Sequence, residues 1–392
     1  MNRKTIFAGL IILAACEEFQ PKAPQAYELL DGPVSGLSEA ENLQFLRGDV
    51  AFNDEVFTSA NGLGPLFVAT SCGSCHPGDG KGHPFTTLTR FGQTDENGNQ
   101  YLNVGGPQLQ HRAIPGFTPE VIPQNATLSR FTPPANTGLG FIDAVSDAEI
   151  LAWADPDDND GDGISGVPNW ISLKQYVKER PNSVTQNGRY IGRFGKKAAT
   201  YDLLQQTATA YNQDIGITSS FEPVDTHSGL VFDPEVSNQT INDVVFYLKA
   251  LKAPEPRPES NSIEGKQLFT TIGCSKCHRP EMKTGNSSIA AIANKAFYPY
   301  SDFLLHDMGS SLDDGYTEGS AKTYEWRTPP LWGVGLSKKS QGGQYFLLHD
   351  GRARSIEEAI LLHGGEGIQS RSNYEALTNE EKTKLIRFLE SL

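Results

Sequence analysis

Apolar positions fall into three kinds of pattern along the 392-residue chain. The first is a continuous run, Ile6-Phe-Ala-Gly-Leu-Ile-Ile-Leu13, behind the basic pair Arg3-Lys4. It is too short to span a bilayer and has the length of a secretory-signal core. The second kind is helical. Ile241, Val244, Val245, Leu248 and Leu251 recur at three- and four-residue steps after Ser237, a side chain suited to capping a helix. Leu385, Phe388, Leu389 and Leu392 do the same after Thr378 and Glu381, spaced as a capping box. Ile356, Ala359, Ile360 and His363 share one face behind another box, Ser355 and Glu358, with Gly364 and Gly365 expected to end that helix. The third kind has no period: long stretches rich in the chain's 39 glycines and 24 prolines, which read as loops. The patterning predicts a mainly α fold with long loops.

Two short motifs carry the chemistry. Cys72-Gly-Ser-Cys75-His76 and Cys274-Ser-Lys-Cys277-His278 both have the spacing of a covalent c-type haem attachment. Two thiols one helical turn apart reach the two vinyl groups of one haem, and the adjacent histidine presents a ring nitrogen to the iron. A zinc ribbon would need its second cysteine pair nearby, whereas these pairs lie about 200 residues apart. A thioredoxin-like pair has no use for the following histidine. The expectation is two covalent haems with axial ligands His76 and His278. Gly265-Lys-Gln-Leu268-Phe269-Thr-Thr-Ile-Gly273 leads into the second motif like the first helix of a small cytochrome c, and Gly64-Pro-Leu66-Phe67 leads into the first more loosely. Each motif is followed by a long excursion and an amphipathic closing helix, a weak internal repeat.

The segments Ser301-Asp-Phe-Leu-Leu-His306-Asp307-Met308-Gly309, Arg327-Thr-Pro-Pro-Leu-Trp332-Gly and Phe346-Leu-Leu-His349-Asp350-Gly351-Arg352 extend the picture, as does Ser355-Ile-Glu-Glu-Ala-Ile-Leu-Leu-His363-Gly-Gly. With the two motifs, they make the chain resemble the di-haem cytochrome c peroxidase superfamily, most closely the branch of di-haem oxidoreductases also labelled thiol oxidoreductases. The likeness is clearest from about residue 262 to 392. It implies one haem that passes single electrons and one that carries substrate chemistry of the peroxide type. In the peroxidases the distal ligand of the second haem follows the histidine of the H-D-G segment by about fourteen residues. That count from His349 reaches His363, where the peroxidases usually have methionine. Met308 is the alternative ligand and would raise the reduction potential relative to a bis-histidine iron. His306 and His349 read as fixing local conformation or touching propionates. For the first haem, His83, His111 and His227 are available, and His227 holds the place most comparable to His363. If none ligates, the first haem is open, with Gln108, Gln110 and Glu120 as candidate catalytic groups.

Five aspartates crowd into Asp155-Pro-Asp157-Asp158-Asn159-Asp160-Gly161-Asp162-Gly163-Ile164-Ser165. From Asp158 the loop reads D-x-D-x-D-G, the first half of a calcium loop, with ligands expected from Asp158, Asp160, Asp162 and the Ile164 carbonyl. Its twelfth position is Asn169 rather than glutamate. Trp153 and Trp170 flank it, and the family resemblance implies a calcium and a tryptophan between the haems.

Composition leaves one cysteine to place. There are five, and Cys16 is the odd one, at the end of Leu13-Ala14-Ala15-Cys16, which resembles a bacterial lipobox. Cys16 is therefore expected to carry the lipid anchor, with more than one acyl chain holding the protein to a membrane; the alternative is a plain secretory signal cut near residue 15 that leaves Cys16 a free thiol. Glu17 in place of aspartate favours the outer membrane, facing the periplasm or the exterior. The expected organisation is a signal peptide and lipobox (1–16), a tether (17–36), a first cytochrome c-like haem domain (37–251), a Pro-rich linker (252–261) and a second such domain (262–392). A formal charge of −14 argues against nucleic-acid binding and suits a basic redox partner protein or a small-molecule oxidant. A mean hydropathy of −0.40 excludes a polytopic membrane protein. Haem and lipid together would consume every cysteine, so the chain has no thiol of its own for exchange. The expected function is a di-haem oxidoreductase; the alternative is a non-catalytic di-haem electron-transfer lipoprotein.

Overall fold

The computed structural model describes residues 24–258 and 262–392. The signal sequence, Cys16 and the start of the expected tether lie outside them. Helix α1 (Glu39–Asp49) begins at a Ser38–Glu41 capping box. Two short helices, α2 (Leu139–Asp143) and α3 (Asp147–Leu151), precede α4 (Leu203–Asp214), which Asp202 caps. Helix α5 (Asn238–Ala250) starts at Ser237, whose hydroxyl accepts from the Thr240 amide as its sequence predicts. The C-terminal half holds α6 (Ile263–Thr271), α7 (Ser337–Ser340), α8 (Ile356–Leu361), α9 (Ile368–Glu375) and α10 (Asn379–Ser391). The Thr378–Glu381 box opens α10, and Leu385, Phe388, Leu389 and Leu392 are all buried. No described helix is long and apolar enough to cross a membrane.

The expectation of a mainly α fold is corrected: the chain is 33% helical and 11% strand, with several small sheets. Helical periodicity identified the elements that flank the two cysteine motifs. The excursions between them fold as loops pinned by ladders of two to four residues, too short to show a period of two. Strand β1 (Leu66–Phe67) pairs antiparallel with β3 (Arg112–Ala113), and β2 (Leu88–Phe91) with β4 (Leu128–Phe131). Next come β5 (Trp170–Ile171), β6 (Thr185–Gln186) and β7 (Arg189–Ile191), with β7 central. Then β8 (Met282–Lys283) pairs with β9 (Ala296–Phe297), and β10 (Leu305–Asp307) with β11 (Glu325–Arg327), His306 opposite Trp326.

Two helix crossings organise the core, and both pass over a glycine. In α1, a Cβ on Gly48 would lie 2.1 Å from the Asp243 carbonyl oxygen of α5 and 2.6 Å from Tyr247 Cβ. In α6, a Cβ on Gly265 would lie 2.5 Å from Phe388 Cβ of α10. Four residues after each glycine stands a buried phenylalanine: Phe52 lies 5.5 Å from the Tyr247 ring, and Phe269 5.7 Å from the Phe388 ring. The counterpart of the Gly265–Phe269 lead-in is thus Gly48–Phe52. The expected Gly64–Phe67 lead-in is instead a loop running into β1. The Pro-rich segment is held rather than free, with Pro254 against Gly333 and the Arg257 amide donating to Ser391. The end of the expected tether is docked as well: the Val34 amide donates to the Ala250 carbonyl at 2.7 Å.

Candidate functional site

Both cysteine motifs form the same tight turn. The amide of His76 donates to the Cys72 carbonyl and that of His278 to the Cys274 carbonyl, each at 3.0 Å. The four thiols are unpaired. Burial pushes Cys72 and Cys274 up to about 12 and Cys75 to about 11, so they are neutral thiols rather than thiolate ligands or nucleophiles. The histidines are set alike. Nδ1 of His76 donates to the Pro134 carbonyl at 2.9 Å and Nδ1 of His278 to the Tyr300 carbonyl at 3.0 Å. That bond fixes the tautomer and leaves Nε2 as a bare lone pair. Burial drives both rings down to about 4, so neither is charged at neutral pH. A neutral imidazole held through Nδ1, beside two neutral thiols one turn apart, is the donor set that a covalent haem takes.

The second motif has another histidine near it. His363 follows the end of α8, with its Nδ1 donating to Ala359 at 2.7 Å, and it is close enough that a charge on it would depress His278. Ser355 caps α8 through the Glu358 amide, but the Glu358 carboxylate bonds the Arg354 amide, so the reciprocal half of the expected box is displaced by one residue. Helix α8 stops before His363, and the turn that follows is clasped from below. His306 bonds Asp302 at 2.9 Å and Glu366 at 2.5 Å, and its Nδ1 lies 3.5 Å from Cys277 Sγ. Burial opposes a charge on His306, but Asp302 overrides it and holds the ring well above its ordinary value. Met308 packs into a separate cluster with Phe131, Leu312, Tyr316 and Trp326. His349 is buried, stacks on Trp326 at 3.7 Å and bonds Asp314 at 2.8 Å.

Around the first motif the histidines turn elsewhere. His83 accepts from the Phe85 amide and lies against the Phe85 and Phe346 rings. His111 is exposed, and His227 is exposed beside Phe117. Gln108, Gln110 and Glu120 do come together, wrapped on the end of α4. Both glutamine side chains donate to the Gln213 carbonyl at 3.1 Å, and the Glu120 carboxylate accepts from the Gln110 amide at 2.6 Å. Gln108 also donates to Asp214 and accepts from Arg90. Asp214 was not foreseen. Burial raises its carboxyl to about 6, and its charge would bear on both Cys72 and Cys75. Glu55 and Tyr211 were missed too, and each has a buried oxygen with no partner beside Cys72. Such orphans fit a pocket shaped for a group that the polypeptide alone does not supply. One signal was present: an acid at the C-terminus of α4 opposes the helix dipole.

In the acidic loop, the carboxylates of Asp155, Asp158 and Asp160 gather within 4.8 Å of one another. Asp162 instead bonds Lys276 of the second motif at 3.0 Å, and Asn169 is buried away from the loop, bonding Lys197 and Glu318. The Arg279 guanidinium, next to His278, covers the Trp153 ring at 4.2 Å.

Residues 128–392 match the family described as "Di-haem oxidoreductase, putative peroxidase". No curated protein matches the chain. Among solved structures, the hydrazine synthase of Kuenenia stuttgartiensis under 20 bar xenon is similar at 14% identity, covering 95% of this chain and 94% of that one, with a TM-score of 0.39. That likeness is too slight to argue from.

Proposed function

The chain belongs to the di-haem oxidoreductase family, and from that premise we propose a c-type enzyme with an electron-transfer haem on Cys274–His278 and a peroxide-type substrate haem on Cys72–His76. One observation carries the division of labour: His363 stands close enough for its charge to bear on His278, while His83 is engaged with Phe85 and Phe346 and His111 and His227 are exposed. Bound haem supplies one-electron chemistry, and an iron with an open position also binds peroxide. The residues around it do the rest. His363 would close the second site through Nε2, its orientation held by the Ala359 carbonyl, while the Glu366–His306–Asp302 clasp holds the turn that follows it. At the first site Asp214, raised to about 6, holds or releases a proton near neutral pH. Gln108 fixes that carboxyl from one side.

The finer expectations join this proposal. Residues 37–251 and 262–392 would form the two haem domains, Cys16 would carry the lipid anchor at the cell envelope, and the acidic loop would take calcium, with Asp155 joining the expected Asp158 and Asp160 where Asp162 bonds Lys276 instead. An alkaline pyridine assay on protein matured in a haem-attaching host tests the core of it. Two haems per chain bound through thioethers are expected, falling to one in Cys72→Ala/Cys75→Ala. A count unaffected by either cysteine pair would refute the assignment.

A further inference from the structure

Three half-buried cations have no carboxylate bonded to them. The Lys81 ammonium donates to the Leu348 carbonyl at 3.4 Å, and Lys196 donates to the Thr132 hydroxyl at 3.5 Å. Arg327 donates through Nε to the Gly195 carbonyl at 2.9 Å, and its Nη1 is buried with no partner at all. None of the three forms an ion pair among the described residues. The fold does satisfy other cations. Arg193 meets Asp147 at 2.6 Å, Arg90 meets Glu318 at 2.7 Å, and Lys197 is caged by the carbonyls of Lys322, Thr323 and Glu325. Asp350 bears on Lys81 and Lys196 but is already held by Arg352 at 2.8 Å, and Asp302 bears on Arg327 but is bonded by His306 at 2.9 Å.

The trio lies between the two motifs. Thr132, which takes Lys196, is two residues from Pro134, whose carbonyl holds the His76 ring. Lys81 follows His76 by five residues, and its partner Leu348 adjoins His349, whose carbonyl accepts from Thr132. On the other side, the Arg327 amide donates to the Lys196 carbonyl at 3.0 Å, and Arg327 pairs with Leu305 on the β10–β11 ladder. From there Thr328 joins Leu304 and Ser301, and the Asp302 amide donates to Cys277 at 3.0 Å. Burial lowers Lys81 to about 8, Arg327 to about 10 and Lys196 well below its ordinary value, with Lys81 and Arg327 repelling Lys196. Half-buried cations that repel one another are stabilised by an anion among them.

We propose that Lys81, Lys196 and Arg327 form one carboxylate cradle that takes propionates of both haems, so that the two cofactors meet a single patch of positive charge. This rests on the reading that both motifs carry haem. A positive charge beside a haem favours the reduced state, so removing one from a shared cradle lowers both reduction potentials together. A cation serving one haem would move only one.

The test is spectroelectrochemical titration of the holoprotein, wild type against Lys81→Gln, Lys196→Gln and Arg327→Lys, with haem counted in every sample. Lys81→Gln gives up only one hydrogen bond and should stay folded even if Lys196→Gln does not. The expected result is two haems per chain, both midpoints displaced downward in the glutamine variants, and a smaller displacement in Arg327→Lys. Unchanged midpoints, or displacement of one haem alone, would overturn the cradle while leaving the di-haem reading intact. A wild-type haem count below two would overturn both. Acetate added to the wild type separates the sources of carboxylate: no change is expected, and a saturable displacement of the midpoints would assign the cradle to a soluble anion instead.

Discussion

Burial raises the Asp214 carboxyl from 3.8 to about 6, so the folded chain holds a proton there that the unfolded chain has released. Its contribution is therefore fully present below about pH 4 and is lost as pH rises through about 6. Asp214→Asn removes that loss. Relative to the parent, the variant should gain stability between pH 4 and 7, by up to about 3 kcal/mol, in denaturant titrations at each pH. A constant difference across that range would contradict the assignment. If Asp214 also moves the proton at the first site, the same variant should lose peroxide turnover while keeping both haems. His363 gives a second test at this scale. His363→Ala should turn the second haem high-spin, and His363→Met should restore a low-spin iron with a raised potential; a spectrum unchanged in His363→Ala would exclude it as a ligand. The two cysteine–histidine motifs were legible in the sequence because all their residues lie within five consecutive positions. Asp214, Glu55 and Tyr211 were not, because they reach the first motif only through tertiary folding of α4 and the segment after α1.

The α1–α5 and α6–α10 crossings depend on contacts that no side chain can share. Gly48→Ala and Gly265→Ala should each cost about 2–3 kcal/mol, read as a fall in thermal midpoint. Gly285→Ala is the control. Its Cβ would meet only the Ala144 carbonyl, at 3.4 Å, so the midpoint should change little. Equal effects at all three positions would mean that the crossings are not the tightly packed elements. Helices α5 and α10 were readable because capping residues and a full apolar stripe lie within one segment. The ladders were not: β1, β3, β8 and β9 have two residues each, and their partners lie elsewhere in the chain. The tether and lead-in readings met the same difficulty. Val34 docks on the end of α5, and Gly48 rather than Gly64 lies under the closing helix, both facts of packing.

Across the molecule, charge and cofactor dominate. The acidic loop reaches the second motif through Asp162 and Lys276, so a cation bound among Asp155, Asp158 and Asp160 would brace that motif's surroundings. Chelation should lower the thermal midpoint and calcium should restore it; no response to either would leave the loop as a solvated turn. Palmitate labelling in cells should be lost in Cys16→Ala, and retained label would remove the anchor. The central claim is that one haem is closed by His363 and the other is open. Electron paramagnetic resonance and optical spectra of the oxidised and half-reduced holoprotein, before and after peroxide, test it most directly. One low-spin haem and one high-spin haem are expected, with peroxide changing only the signal that disappears in Cys72→Ala/Cys75→Ala. Two low-spin, six-coordinate haems in every redox state, with no response to peroxide, would contradict the account and leave an electron-transfer protein.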